Sequence, residues 1–512
     1  PKAYACQPHG GGHQHGEWST RTLELREQGF LVANFLAGVD PDAWLGVPDF
    51  EDRWGQLLIE RFLVGVDDGW ILRRALTYRG AIQEEDERAG ARTLLLEMLS
   101  REEWLGPHYL ALRTGVELVP HGEDTASVGR VRQLSASLSE DDPPFMPIRI
   151  KIHGAPEGAD AQAVRDYMAG VTDPALRERY AALADDIDLI YQAEPLPVAL
   201  EELAASPWLP GAVARSLRDI GARWKQADTE ARMQLSGTLL MQLRTSLGAV
   251  SKPEQRLRLL DFGLQVEAEH FRAAAEVREM LPQMSRYRVI VALSAAADAA
   301  YGTGLLNARL HRELVGRLAA FSSGQEELGA YRDALVYLNL APGWGQQALR
   351  RYFYLPMLKL AEIEPLALLF IQDRLRGSPL LFYSGALNLL ARDAGNLAGI
   401  RHSIFGEEVG AGFNALNPGL GRGVLRARPA LDDPHALRED GIYVLPETVA
   451  ELPPVAGILT AGEGNPLSHV QLLARNLGIP NVGVDETMLP TIRQHDGEAV
   501  VMAVSPAGLV EL

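Results

Sequence analysis

GILTAGEGNPLSHVQLLARNLGIPNVGV, residues 457–484, decides how the C-terminal part of this chain folds. Gly457–Thr460 opens it as a short apolar run, read as a buried strand. The turn AGEGNP follows, where Gly462 and Gly464 permit backbone angles that bulkier residues resist. Asn465 is placed to cap a helix and Pro466 suits its first turn, so a helix is predicted from about 466 to 477. Ser468 and His469 then fall in the first turn, where backbone N–H groups lack intrahelical partners and the helix dipole is positive. A phosphoryl group held there meets donors and a favourable field. Neutral imidazole is a good nucleophile near neutral pH. Its attack on phosphorus gives a phosphoramidate that can pass the group on, given in-line access and nearby positive charge. Arg475 lies nearly two turns further along. From the residues alone, a structural or solvent-facing histidine is the commoner outcome of such a pattern.

The texture around this stretch changes at about residue 405. Downstream come short strand-like pieces with turns between them: GVLRAR (423–428), GIYVLP (441–446), AGILT (456–460), NVGV (481–484), EAVVMAV (498–504) and GLVEL (508–512). With one strong helix among them, they predict a compact β/α domain over 413–512, entered through LNPGLGRGVL, a turn-rich linker followed by a strand. Upstream, 18–405 is mostly helical in pattern, as in DFEDRWGQLLIERFLVGV and EQRLRLLDFGLQVEAEHFRAAAEVREML. The clearest interruption is EDDPPFMPIRIKIHGAPEGAD (140–160), where a proline cluster precedes a strand-like IRIKI. A boundary is placed there, giving helical regions 18–140 and 141–405. The fold class expected is thus a large mainly α N-terminal region followed by a small α/β domain. No fixed-period repeat supports a solenoid. Residues 1–17 are polar and Gly-rich and read as a flexible tail, whose His9, His13 and His15 suggest at most weak metal binding. No metal site is expected.

Composition narrows the function classes. The 512 residues exceed one ordinary domain, and 47% hydrophobic with 23% charged content is globular. A formal net charge of −18 argues against a phosphate-backbone footprint, so no nucleic-acid partner is expected. The single cysteine, Cys6, excludes an intramolecular disulfide and a Cys-based zinc site. No apolar run approaches a membrane span and residues 1–16 hold no signal-peptide pattern. A cytoplasmic setting without membrane partners is the expectation, together with a trimmed start, since the chain opens on Pro1.

The ordered residues of the opening stretch resemble the swivelling phosphohistidine domain of the PEP-utilising enzyme family. That family includes PEP synthase, pyruvate phosphate dikinase, Enzyme I of the sugar phosphotransferase system, the glucan water dikinases and rifampin phosphotransferase. Thr460 matches its strand-end threonine, and Gly462 and Gly464 its glycine turn. Ser468-His469 matches the pair that ends on the phosphorylated histidine, Ala474-Arg475 the helix arginine, and Gly478-Ile479-Pro480 the close. LNPGLGRGVL resembles the family's domain entry, GIYVLPETVAELPPVAGILT its strand, threonine and loop with Thr448 at the threonine, and DGEAVVMAVSPAGLVEL its closing hairpin. The resemblance covers about 413–512. It implies that His469 carries the phosphoryl group, supported by Thr448, Thr460, Gly464, Ser468 and Arg475. One departure is Leu467, where many members carry a hydroxyl residue. A Leu-Ser-His form is closer to the water dikinases and rifampin phosphotransferase than to the pyruvate branch.

In the family an ATP-grasp module loads this domain from ATP, or a barrel loads it from PEP. Neither is legible here: the helical texture of 18–405 and only five lysines offer no ATP-grasp pattern, and there is no P-loop. The chain is therefore expected to bind no cofactor itself and to work with an ATP-grasp module, in the same polypeptide or a partner chain, that binds ATP and Mg²⁺. The acceptor would be a small molecule or glucan-like. Residues 18–405 would bind the acceptor, act as scaffold, or both. Candidate acceptor residues are Arg149, Lys151 and His153, with a second charged stretch at 70–90. RRYFYLPML (350–358) reads as core. The alternatives are a non-catalytic helical scaffold with a relic swivelling domain used for interaction, and a PEP-loaded Enzyme I-like transferase.

Overall fold

The computed structural model of the protein describes residues 20–512 except 34–35, 37, 67–80, 123–125, 155–156, 192–194, 322–326, 411, 430–436, 447–451, 463–466, 468 and 506–507. The expected tail 1–17 and most of the charged stretch 70–90 lie outside the described residues. The chain divides into two compact units. One comprises 1–221, 246–264 and 352–367; the other comprises 222–245, 265–351 and 368–512.

The first unit is helical. Helices α1 (Phe50–Val66), α2 (Ala81–Ser100) and α3 (Tyr109–Leu118) pack around Trp54, whose indole N–H donates to the Ala111 carbonyl at 3.2 Å. Gly115 is required there, because an added Cβ would sit 2.3 Å from the Trp54 ring. Arg256 is fully buried and donates to the carbonyls of Val250 and Leu99, both at 2.7 Å. Its second bond satisfies one of the orphan carbonyls at the end of α2. Tyr352 and Phe353, from the run expected to be core, are buried.

Four further helices of this unit share one core: α4 (Ala126–Asp141), α5 (Met146–Gly154), α6 (Asp160–Ala169) and α7 (Pro174–Tyr191). Two expectations are corrected here. IRIKI is not strand-like but lies within α5, entered by a 3₁₀ turn at Pro143–Phe145. Ile148 and Ile152, four apart, pack on the shared core, while Ile150 is 55% exposed and Arg149 is buried. The alternation of apolar and basic residues was thus compatible with a helix whose inward face runs i, i+4. The boundary expected between 140 and 141 falls inside this core, which joins residues on both sides of it.

In the second unit, α8 (Thr229–Ser246) lies close against α10 (Arg286–Gly302), with α9 (Pro253–Met280) between them in sequence. Gly237 and Gly302 allow the approach: a Cβ on Gly237 would lie 2.4 Å from the Ala295 carbonyl oxygen, and one on Gly302 2.5 Å from the Leu240 backbone. Ala292, Ala295, Ala296, Ala299 and Ala300 of α10 are all buried, so the packed faces of this helix are made largely of small residues. Helices α11 (Leu328–Leu338) and α12 (Leu380–Leu397) pack on each other, and α12 also packs on α10.

The rest of this unit is a mixed nine-stranded sheet with order β2-β1-β9-β8-β4-β5-β6-β7-β3. The strands are β1 (His402–Ile404), β2 (Glu407–Val409), β3 (Phe413–Asn417), β4 (Gly419–Arg426), β5 (Gly441–Pro446), β6 (Gly457–Ala461), β7 (Asn481–Val484), β8 (Ala499–Val504) and β9 (Val510–Glu511). Strands β4 to β7 run parallel to one another; β3 pairs antiparallel with β7, and β8 antiparallel with β4 and β9. Helix α13 (His469–Leu477) covers one face and α14 (Leu489–Gln494) the other. Alternation along β5 serves both cores, with Ile442 and Val444 on one side and Tyr443 and Leu445 on the other.

Two details differ from the sequence reading. The sheet begins at His402, before the expected entry at 413, because the β1–β2 hairpin joins it through β9. LNPGLGRGVL holds the expected strand, but its first part is not a linker. The stretch is the end of β3, a break at Pro418 and then β4, where a Cβ on Gly421 would lie 2.0 Å from the Ala456 carbonyl oxygen. A mainly α region followed by a small α/β unit is what the chain forms.

Candidate functional site

Strands β5 and β6 are parallel and in register, with Pro446 opposite Ala461, and β6 pairs in turn with β7, with Ala461 opposite Val484. Their carboxyl ends therefore leave the sheet at one edge. In open α/β sheets this is the edge that forms ligand sites. Gly462 follows β6 directly. Its φ of 121° is one that side-chain-bearing residues avoid, and its N–H donates to Val484 O at 3.0 Å. The backbone is thus turned off the sheet at a point only glycine accommodates.

Helix α13 begins at His469 itself rather than at 466. Leu467 precedes it in a turn and is fully buried. His469 thus stands at the amino end of a nine-residue helix, at the carboxyl end of a parallel strand. The first N–H groups of such a helix have no partners within it.

A chain of buried side chains holds this helix start in place. Thr460, at 0% exposure, donates through Oγ1 to Asn481 Oδ1 at 2.8 Å. Asn481 Nδ2 donates to Gln471 Oε1, and Gln471 Nε2 donates to the Leu416 carbonyl at 2.9 Å. Asn481 and Gln471 are also wholly buried. The chain links β6, β7, α13 and β3, and every polar atom along the path has a partner. The Thr460 hydroxyl is therefore committed to Asn481. Sequence reasoning missed Gln471 and Asn481. The signal available was a polar residue inside an apolar helical run, and another opening an otherwise apolar strand.

Arg475 sits in the last turn of α13. On a straight helix, six residues carry it about 120° around the axis from His469 and roughly 9 Å along. Its half-buried guanidinium lines a cavity beside β3, and burial lowers its pKa. Thr448, Gly464 and Ser468 lie outside the described residues. Thr448 follows the end of β5 by two residues, and Gly464 the end of β6 by three.

Arg149, Lys151 and His153 do not line one strand face, since all three lie on helix α5. Arg149 is buried, and Lys151 is tied to Glu157 and to Asp160, the latter at 2.6 Å. The His153 side chain is outside the description. Among the described residues no group of three or more His, Cys, Asp or Glu could hold a metal ion. No described helix is long and apolar enough to cross a membrane. Compared with family models, curated proteins and solved structures, the chain matches none.

Proposed function

We propose that this chain is a phosphotransferase component of dikinase type, in which His469 carries a phosphoryl group between a loading module and an acceptor. The observation that carries this reading is the position of His469. It opens the helix of the crossover that leaves the carboxyl end of β6 at Gly462 and returns to the parallel strand β7. The ordered motif from Thr460 to Pro480 lends support from the sequence side. Loading falls to an ATP-grasp module that binds ATP and Mg²⁺, in the same polypeptide or a partner chain.

An imidazole nitrogen attacks the β-phosphorus of ATP, the Pβ–O bond to the α-phosphate breaks, and AMP leaves with the electron pair. Water then attacks the γ-phosphorus of the pyrophosphohistidine, the Pγ–O bond to the β-phosphate breaks, and phosphate departs to leave a phosphohistidine. In the second half-reaction an acceptor oxygen attacks the phosphoramidate phosphorus. The P–N bond breaks, the imidazole regains its electron pair, and the acceptor's proton is released. Unpartnered N–H groups at the start of α13 stabilise the transferring oxygens. The overall stoichiometry is ATP, acceptor and water giving AMP, phosphoryl acceptor and phosphate.

The test is labelling with β-³²P-ATP in the presence of the ATP-grasp module. Acid-labile, base-stable label on the wild type, absent in His469→Ala, is the expected result. An unlabelled wild type beside a module proven active would overturn the reading.

A further inference from the structure

The cavity that Arg475 lines is an open cleft within the second unit, bounded by α11, α12, β1, β3 and the end of α13, and its volume is about 580 Å³. That lies in the range of small-molecule sites. Its charge is unevenly answered. Arg392 faces Asp485 at 3.6 Å, whereas Arg475 makes no ion pair or hydrogen bond with any described residue. Arg332 brings a third guanidinium to the lining, and Asp333, exposed on α11, is the acid there among the described residues. A half-buried cation without an anion beside it is costly to keep. Burial lowers its pKa, and among the described residues no carboxylate stands beside it to raise it.

The other walls are suited to an organic body. Leu335 and Phe413 supply apolar surface, and Val336, 64% exposed, stands on α11 at the lining. Asn414 donates to Asn388 Oδ1 at 2.8 Å, which keeps its own carbonyl oxygen free to accept. His402 Nδ1 accepts from the Val510 N–H at 3.2 Å, so its proton sits on Nε2. Arg475 shares a face of α13 with Gln471, four residues earlier, and Gln471 is bonded to Leu416 of β3. The same buried chain that fixes the helix start therefore holds Arg475 over the cavity.

We propose that this cavity binds a small organic oxyanion, with its phosphate or carboxylate group on Arg475 and its apolar body against Leu335, Val336 and Phe413. A guanidinium forks equally well onto either group. The inference does not depend on phosphoryl carriage by His469, and its test contains neither ATP nor PEP.

Titration calorimetry on the whole chain at low salt, with phenyl phosphate, benzoate, inorganic phosphate and benzyl alcohol, provides the test. Phenyl phosphate or benzoate is expected to bind at least about tenfold tighter than benzyl alcohol, and the tighter of the two identifies the anionic group. Arg475→Gln is expected to weaken that binding about tenfold or more. Val336→Trp should block it from the opposite wall while leaving the unliganded thermal midpoint in place. The proposal is overturned by equal affinity for the anions and benzyl alcohol, by undiminished binding in both variants, or by no binding of any probe. Inorganic phosphate binding as tightly as the organic anions would overturn the role of the apolar wall.

Discussion

Replacing Asn481 by Leu cuts the buried chain at its centre. The Thr460 hydroxyl then lacks its acceptor and Gln471 Oε1 its donor, both in fully buried positions. Each orphaned group costs about 1–3 kcal/mol, and the added apolar volume returns part of that, so the net loss is about 2–4 kcal/mol. Thr460→Val alone leaves only Asn481 Oδ1 without its donor, a loss of about 1–2 kcal/mol. In the Asn481→Leu background the same Thr460→Val change removes a hydroxyl that is already unpaired. It should then be neutral or stabilising, which makes the two changes non-additive by about 1–3 kcal/mol. The last tryptophan of the chain is Trp344, so fluorescence does not report on the sheet. Hydrogen exchange of peptides covering β6 and β7, read by mass spectrometry in denaturant, does. Additive losses in the double variant would refute the claim that Thr460, Asn481 and Gln471 form one connected unit.

Burial holds His270 in its neutral form, with a pKa pushed down to about 4 from an ordinary 6.5. Its folded-state pKa is depressed, so this contribution is complete above about pH 6.5 and is lost as pH falls from there to 4. The loss amounts to about 3 kcal/mol. Urea denaturation at pH 7 and pH 4.5 should show that decline, and His270→Leu should flatten it. An unchanged pH slope in the variant counts against burial as its cause. Gly237→Ala places a Cβ 2.4 Å from the Ala295 carbonyl oxygen. Thermal unfolding should show a net loss of about 1–3 kcal/mol, even though alanine favours helix by about 1 kcal/mol. A stabilised variant would mean that α8 and α10 are not in such close contact. Asp142→Ala orphans the hydroxyls of Tyr167 and Tyr180, which donate to it at 3.0 and 2.9 Å. Denaturation should register a loss of about 2–4 kcal/mol, and Asp142→Asn, which keeps an acceptor, should lose less.

How far the sequence could be read depended on whether the deciding interactions were local. β5, β6, β7 and α13 were legible because their apolar runs are short and separated by glycine and proline. The start of α13 was set three residues early, because Asn465 and Pro466 carry helix-start chemistry while Leu467 is drawn into the core instead. IRIKI misled because alternation over five residues fits a strand and also fits a helix whose two inward isoleucines are four apart. β1 and β2 are three residues each; β2 pairs with β1, and β1 joins the sheet by pairing with β9, more than a hundred residues away, so their place in the sheet was not legible locally. The pairing within the buried chain through Gln471 and Asn481 was not legible for the same reason, although each stands out as a polar residue in an apolar run. Only the fold brings Leu416, Thr460, Gln471 and Asn481 together. Arg475 could be seen as a helix arginine, but its cavity is built by residues from 329 to 416 that share no local pattern with it.

The central claim is most directly met by peptide mass spectrometry at alkaline pH on the chain incubated with ATP and its ATP-grasp module. The account predicts one added phosphoryl group located at His469, lost on brief acidification and absent from His469→Ala. Phosphorylation elsewhere in the chain with His469 unmodified, or none at all beside an active module, would contradict it.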